Sequence, residues 1–190
     1  MEESLKKKNI PRTIASKIFV SIARESNVQV QELKLSLDQM TSRVEQNPDD
    51  QNAITQWGEL HNRLVNHACI TIIFAALAVE AYIYDYGARG MSDSFMEKYI
   101  DKLELLSKWV VVPQLVKGRS FPREGQGIEL LKKLISARNS LAHFKSGTDK
   151  STLDPKTLAA KAGDAIRTLD ILREDMERFD PDELPGLQLP

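Results

Sequence analysis

The sequence holds a single cysteine, Cys69, in 190 residues. One thiol excludes an internal disulfide and any cluster of thiolate metal ligands, and it fits a reducing compartment, so the cytoplasm is the expected location. Glycine (9), proline (8) and aromatics (6%) are sparse, which excludes collagen-like and Pro/Gly-rich low-complexity character. Neither sign of charge is in excess: 26 Lys and Arg face 27 Asp and Glu, for a net charge of -1. The chain is therefore not a uniformly basic nucleic-acid binder. Long apolar runs are missing as well. No apolar h-region with a cleavage site follows the charged stretch Met1 to Lys8, so no secretory signal is read there. The longest apolar stretch, Ala68 to Val79, falls short of the roughly 20 residues that span a bilayer, and no membrane association is expected.

Helix periods fill the rest. No Asn-Gly or Asp-Gly pair separates two alternating runs, so hairpins are not expected and the fold class is all-α. Ile14, Ile18 and Ile22 start a helical pattern that loses phase near Ser26 and Asn27 and resumes at Leu33, Leu37, Met40 and Val44, which predicts one broken or bent helix over about 12–46. Val28 to Leu37 also alternates partly like a strand. After Asn47-Pro48-Asp49-Asp50, one long helix is expected over about 51–86, closed by Gly87 and Gly90. It is apolar on all sides from Ala68 to Val79, so it needs cover all round, and a small bundle leaves one face for a second copy of the chain. A short piece over about 94–100 and a helix over about 101–112, kinked by Pro113, come next. The loop 118–127 carries Arg119 and Arg123, and a helix over about 126–144 follows it. The last helix has Asp154 as N-cap, Pro155 at its first position and a seam of Leu158, Ala162, Ala165, Leu169, Leu172, Met176 and Phe179, ending at Pro181.

Chemistry concentrates in Arg138-Asn139-Ser140-Leu141-Ala142-His143. On a wheel of 100° per residue, Leu131, Leu134, Ile135, Leu141 and Ala142 all fall within about 60° of Arg138. An arginine in an apolar stripe needs a carboxylate, an anionic ligand or an opening into a cleft, because burying it unpaired costs several kcal/mol. Asn139 and His143 are four apart and can be neighbours. Cleaving RNA without a metal requires a base for the ribose 2′-hydroxyl, an acid for the leaving 5′-oxygen and a cation on the transition state. His143 suits the proton transfers, Arg138 the phosphate oxygens, and Asn139 can orient either. The competing structural reading pairs Arg138 with a core carboxylate and leaves His143 and Asn139 to serve the helix C-terminus.

Arg138-Asn139-x-x-x-His143 resembles the Arg-x4-6-His motif of the HEPN superfamily of helical RNases and nucleotide-binding domains. Ala75 to Ile83 and Lys108 to Pro113 are similar to segments of bacterial HEPN-like proteins, so the likeness covers about residues 65–146. The resemblance implies an up-and-down four-helix bundle with a short additional helix, placed over residues 51–180; it does not account for the helical extension over 1–50, and the residues from Pro181 on, 181–190, read as a flexible tail. It implies a homodimer whose two motifs share a cleft and a metal-independent endoribonuclease of the toxin, phage-defence or stress type, with a possible cognate antitoxin. Arg138, His143 and Asn139 carry over as site residues, and no cofactor is implied. The alternative within the same family is a non-catalytic module that binds a nucleotide, RNA or an antitoxin. Glu80, which closes the apolar run, is expected to pair with Arg138, either orienting Arg138 or His143 or forming a plain salt bridge.

The remaining candidates are structural. His61 and His67 are six apart and cannot form the i, i+4 pair of a zinc helix. Cys69 reads as a small core residue. The balanced total charge conceals a division: residues 114–150 carry eight Lys or Arg against three acids, and residues 164–184 carry eight acids against three Arg. The basic segment holds the motif, and Arg119, Arg123 and Lys145 within it are the expected contacts to an RNA backbone.

Overall fold

A computed structural model describes residues 13–122, 124–142 and 154–182. Every regular element among them is helical: α1 (Thr13–Gln46), α2 (Gln51–Gly90), a short α3 (Asp93–Phe95) that continues as one π-helical turn over Met96–Ile100, α4 (Leu105–Lys117), α5 (Gln126–Ala142) and α6 (Pro155–Phe179).

Helix α1 has the expected extent and runs without a break. Large aliphatics alone lose phase near residue 26, but the buried seam runs Ser16, Val20, Ala23, Ser26, Val30, Leu33 and Leu37 at helical spacing, so small residues carry it across the gap. The strand-like alternation of Val28 to Leu37 leaves Val28 and Leu35 exposed on the outer face. Asp50 caps α2 by accepting from the Ala53 N–H at 3.0 Å, and this cap together with the Arg43 guanidinium holds its carboxyl below the usual range.

Helix α2 passes through Gly87 and ends at Gly90. Gly87 does not close the helix. A Cβ there would lie 2.6 Å from Met96 Sδ and 2.8 Å from Val112 Cγ1, so the glycine lets the π-turn and α4 approach the α2 backbone. By length and composition α2 could cross a membrane, with an 18-residue window of mean hydropathy 1.8, because apolar residues resume beyond Glu80. In the fold, 44% of that window is buried.

Helix α4 starts at Leu105 rather than near Asp101, and it runs through Pro113 to Gly118, whose left-handed conformation (φ 70°) closes it. Proline removes one backbone hydrogen bond, while Trp109 and Val112 on the same helix are fully buried and hold it in place. Asp154 caps α6 through the Thr157 N–H at 2.8 Å, and all seven residues of the expected α6 seam are buried. Truncating any one of its large members, such as Leu172→Ala, costs about 2–5 kcal/mol.

Contacts between elements give the directions. A short turn sends α1 back along α2, with Trp57 Nε1 donating to Thr41 Oγ1 near the turn and Phe19 against Phe74 far from it. Helix α6 runs parallel to α2, with Asp154 near His61 at one end and Asp180 on Tyr86 at the other. Helix α5 opposes α6, since Gly127 in its first turn meets Leu172 and Asp175. The four long helices thus alternate in direction around one core, to which α1 contributes Val20, Ala23, Val30, Leu33 and Leu37. Helix α4 lies alongside α2 in the same direction, pairing Lys108 with Glu80 and Val116 with Gly90.

Candidate functional site

Helix α5 buries Ile128, Leu131, Leu134 and Ala137 on one face. Lys132, Ile135, Ser136 and Asn139 form the adjoining face by their spacing of three and four. That second face meets the start of α4 across a groove of about 560 Å³, lined by Glu104 just before α4, by Leu105 and Leu106 in its first turn and by Lys132, Ile135, Ser136, Arg138, Asn139 and Ser140 from α5. Arg138 stands at the border between the faces and is half-buried. Of the three environments an arginine in an apolar stripe requires, the fold supplies the cleft.

No described carboxylate pairs with Arg138, while Lys132 is bound to Glu129 one turn earlier, at 2.6 Å. Ser140 Oγ donates to the Ser136 carbonyl at 2.9 Å, which leaves its lone pairs directed outward as acceptors. Asn139 is exposed beside Arg138. The groove therefore joins a guanidinium, an ammonium, an amide and two hydroxyls to an apolar floor of Leu105, Leu106 and Ile135. Such a set can hold an anionic group at one side and an apolar or planar group at the other.

The expected pairing of Glu80 with Arg138 is overturned. Glu80 Oε1 accepts from Lys108 Nζ at 3.0 Å, and Asp101 lies 3.7 Å from the same ammonium. Lys108 is only 3% exposed, so α4 sends a cation to the α2 carboxylate from close range, and Glu80 is engaged away from α5. The Lys108 ammonium thus lies near Asp101, three residues before Glu104, which lines the groove.

Arg119 is placed elsewhere. It donates to the Phe179 carbonyl and its guanidinium lies 4.6 Å over the Phe179 ring, at the start of the connection into α5. Arg138 lies twelve positions beyond the first residue of α5, about 18 Å of helix, so Arg119 and Arg138 do not share a site. A smaller groove of about 330 Å³ lies at the Arg119 end, lined by Arg119, Ser120, Pro122, Asp175, Arg178 and Phe179. His143, Arg123 and Lys145, and the expected tail beyond residue 182, lie outside the described residues.

Cys69 is half-buried and burial pushes its thiol up, away from nucleophilic character. Tyr82 and Tyr86 belong to an aromatic chain rather than to the groove. Tyr82 stacks on Trp109 at 5.8 Å, Trp109 meets Phe121 edge-on at 5.7 Å, and Phe121 meets Phe179 at 5.5 Å. Sequence reasoning missed Glu104, Lys132 and Ser136 as groove residues and Lys108 as the partner of Glu80. Placing the start of α4 near Asp101 put Glu104 inside a helix, whereas it is the residue before the first turn and faces the groove mouth. Comparison with protein-family models, with curated proteins and with solved structures finds no match to this chain.

Proposed function

We propose that the chain is a metal-independent endoribonuclease of HEPN type, with Arg138 holding the scissile phosphate, His143 moving the proton and Asn139 orienting them. The observation that supports this reading is Arg138 itself, a half-buried guanidinium with no described carboxylate partner, opening beside Asn139 onto a groove large enough for a nucleotide. A free arginine fork suits two phosphate oxygens and stabilises charge that grows on them in the transition state.

In the reaction, the 2′-hydroxyl loses its proton to an imidazole and its oxygen attacks phosphorus. The bond from phosphorus to the 5′-oxygen breaks and that oxygen takes up a proton, leaving a 2′,3′-cyclic phosphate and a 5′-hydroxyl. One step needs a base and the other an acid, so two imidazoles serve better than one. A homodimer supplies the second. Ile70, Ile73, Leu77 and Tyr84 share one side of α2, and Ile73 and Leu77 remain more than a third exposed there, which favours cover by a second copy.

Incubating the purified protein with RNA in excess chelator tests the reading. Cleavage to 2′,3′-cyclic phosphate ends is expected from the wild type and not from His143→Ala at unchanged melting temperature. Cleavage that survives this substitution overturns the mechanism. Tight, Arg138-dependent RNA binding without turnover by the wild type would replace it with the binding-module reading.

A further inference from the structure

We infer that Glu104 selects guanine at this groove, reading the base attached to the phosphate that Arg138 holds; the inference rests on the nucleotide-binding reading of the same site. The groove is chemically two-sided. Its α5 wall carries Arg138, Lys132 and Asn139, and its α4 wall carries Glu104, Leu105 and Leu106. If phosphate were the whole ligand, a carboxylate across the groove would weaken binding by like-charge repulsion. Glu104 forms no side-chain hydrogen bond to the helix it precedes and no ion pair with a described residue, so no described donor occupies its carboxylate. Its position before the first turn of α4 places the carboxylate at the positive end of that helix, where negative charge is favoured. Both features leave an acceptor-only group facing the groove.

An occupant that brings phosphate to Arg138 and donors to Glu104 satisfies both walls. The two carboxylate oxygens accept two parallel N–H bonds in bidentate fashion. Among the RNA bases only guanine presents two adjacent donors, N1–H and the 2-amino group, on its Watson–Crick edge. Adenine and cytosine each offer one amino group beside a ring-nitrogen acceptor, and uracil offers one N–H flanked by two carbonyls that would repel the carboxylate. Single-stranded RNA exposes this edge, and Leu106 and Ile135 provide apolar surface against a base plane. Leu105, next to Glu104 in the chain, is buried and anchors the start of α4.

Calorimetric titration of the wild-type protein, Glu104→Gln and Arg138→Ala with 5′-GMP, 5′-AMP, 5′-CMP, 5′-UMP and inorganic phosphate tests the assignment. The wild type is expected to bind GMP about tenfold or more tighter than the other three, the discrimination of one bidentate pair. Glu104→Gln should lose that preference while binding inorganic phosphate as tightly as the wild type or tighter, because a repelling charge is gone. Equal wild-type affinity for the four nucleotides, or a GMP preference that survives Glu104→Gln, overturns the inference. Arg138→Ala should weaken all four nucleotides and phosphate together. If it changes none of them, the phosphate-site reading fails and the base assignment with it; if binding depends on Arg138 but ignores the base, only the role of Glu104 fails. Glu104 is exposed and has no described partner, so Glu104→Gln gives up only a favourable charge at the start of α4, and a melting temperature within a few degrees of the wild type confirms that the titrations compare folded proteins.

Discussion

Arg119 and Arg138 lie toward opposite ends of the bundle, and the fold treats them in opposite ways. At the end where α4 and α6 finish, Arg119 donates to a backbone carbonyl and covers the Phe179 ring, while Asp180, 4% exposed, accepts from Tyr86 Oη at 3.0 Å and from Lys117 Nζ at 2.8 Å. Arg119, Lys117 and Asp180 each have a partner there, and the aromatic chain from Tyr82 to Phe179 packs behind them. At the end where α4 begins and α5 approaches its finish, Arg138 borders a larger groove and no described carboxylate meets it. A basic residue thus serves the fold at one end and is available to a ligand at the other. Composition makes the two arginines equivalent; their partners make them different.

The sharpest way to break this contrast lies just behind the open groove, at Lys108. Glu80→Ala removes the 3.0 Å partner of an ammonium that is 3% exposed and leaves only Asp101 at 3.7 Å. Stranding a buried charge costs about 3 kcal/mol, whereas Lys108→Met, which removes the charge and keeps the volume, costs about 1 kcal/mol or less. Chemical denaturation of the two variants measures the difference. Equal losses would mean that the pair holds the α2 and α4 junction by packing alone.

At the closed end, Asp180→Ala takes an acceptor from the buried Tyr86 hydroxyl and the partner from Lys117, with an expected loss of about 2 kcal/mol. The loss is smaller than at Lys108 because Lys117 is 35% exposed and water can solvate it once Asp180 is gone. A variant as stable as the wild type would show that this end is not held by its polar network.

The two arginines can then be compared directly. Arg119→Ala loses a carbonyl hydrogen bond and a cation over an aromatic face, and should lower stability by about 1 kcal/mol without changing nucleotide or RNA binding. Arg138→Ala should change stability by less than about 0.5 kcal/mol while weakening binding. A reversed pattern, with Arg138 important for folding and Arg119 for binding, would exchange the roles of the two ends.

How much of this was legible in the sequence depends on whether a residue answers to its neighbours along the chain or across the bundle. The α6 seam, its Asp154 cap and the α2 start at Asp50 follow from spacing and capping chemistry, both local, and they appear in the structure as read. The loss of phase near Ser26 exists only for the large aliphatics, since the small residues Ala23 and Ser26 are buried and continue the seam. Gly87 looked like a stop because glycine often ends helices, and only the approach of Met96 and Val112 shows its actual use. Glu80 was recognised as needing a cation, but which cation reaches it is a tertiary fact, and Lys108 sits nearer than any arginine of α5. Arg138 carried its signal in its own placement, a guanidinium within an apolar stripe, and the groove beside it accounts for that placement.

The smallest effect is expected at Asp175, which lines the lesser groove at the closed end, at the seat left by Gly127. Burial pushes its carboxyl up from the ordinary 3.8, Glu174 adds to the rise and Arg178, 3.2 Å away, opposes it. A carboxyl raised in the folded state holds its proton more tightly there than in the unfolded chain. Its contribution to stability is then fully present below about pH 3.8 and is lost as pH rises through the folded value. At neutral pH the charged Asp175 is a cost to the fold, so Asp175→Asn should melt slightly above the wild type at pH 7, with the gap closing as pH falls toward the ordinary carboxylate value. Thermal melts of the two proteins across this range read the effect. A lower melting temperature for Asp175→Asn at pH 7 would show instead that Arg178 and the start of α5 hold the carboxylate as a cap, and that the closed end depends on its acid as well as on its bases.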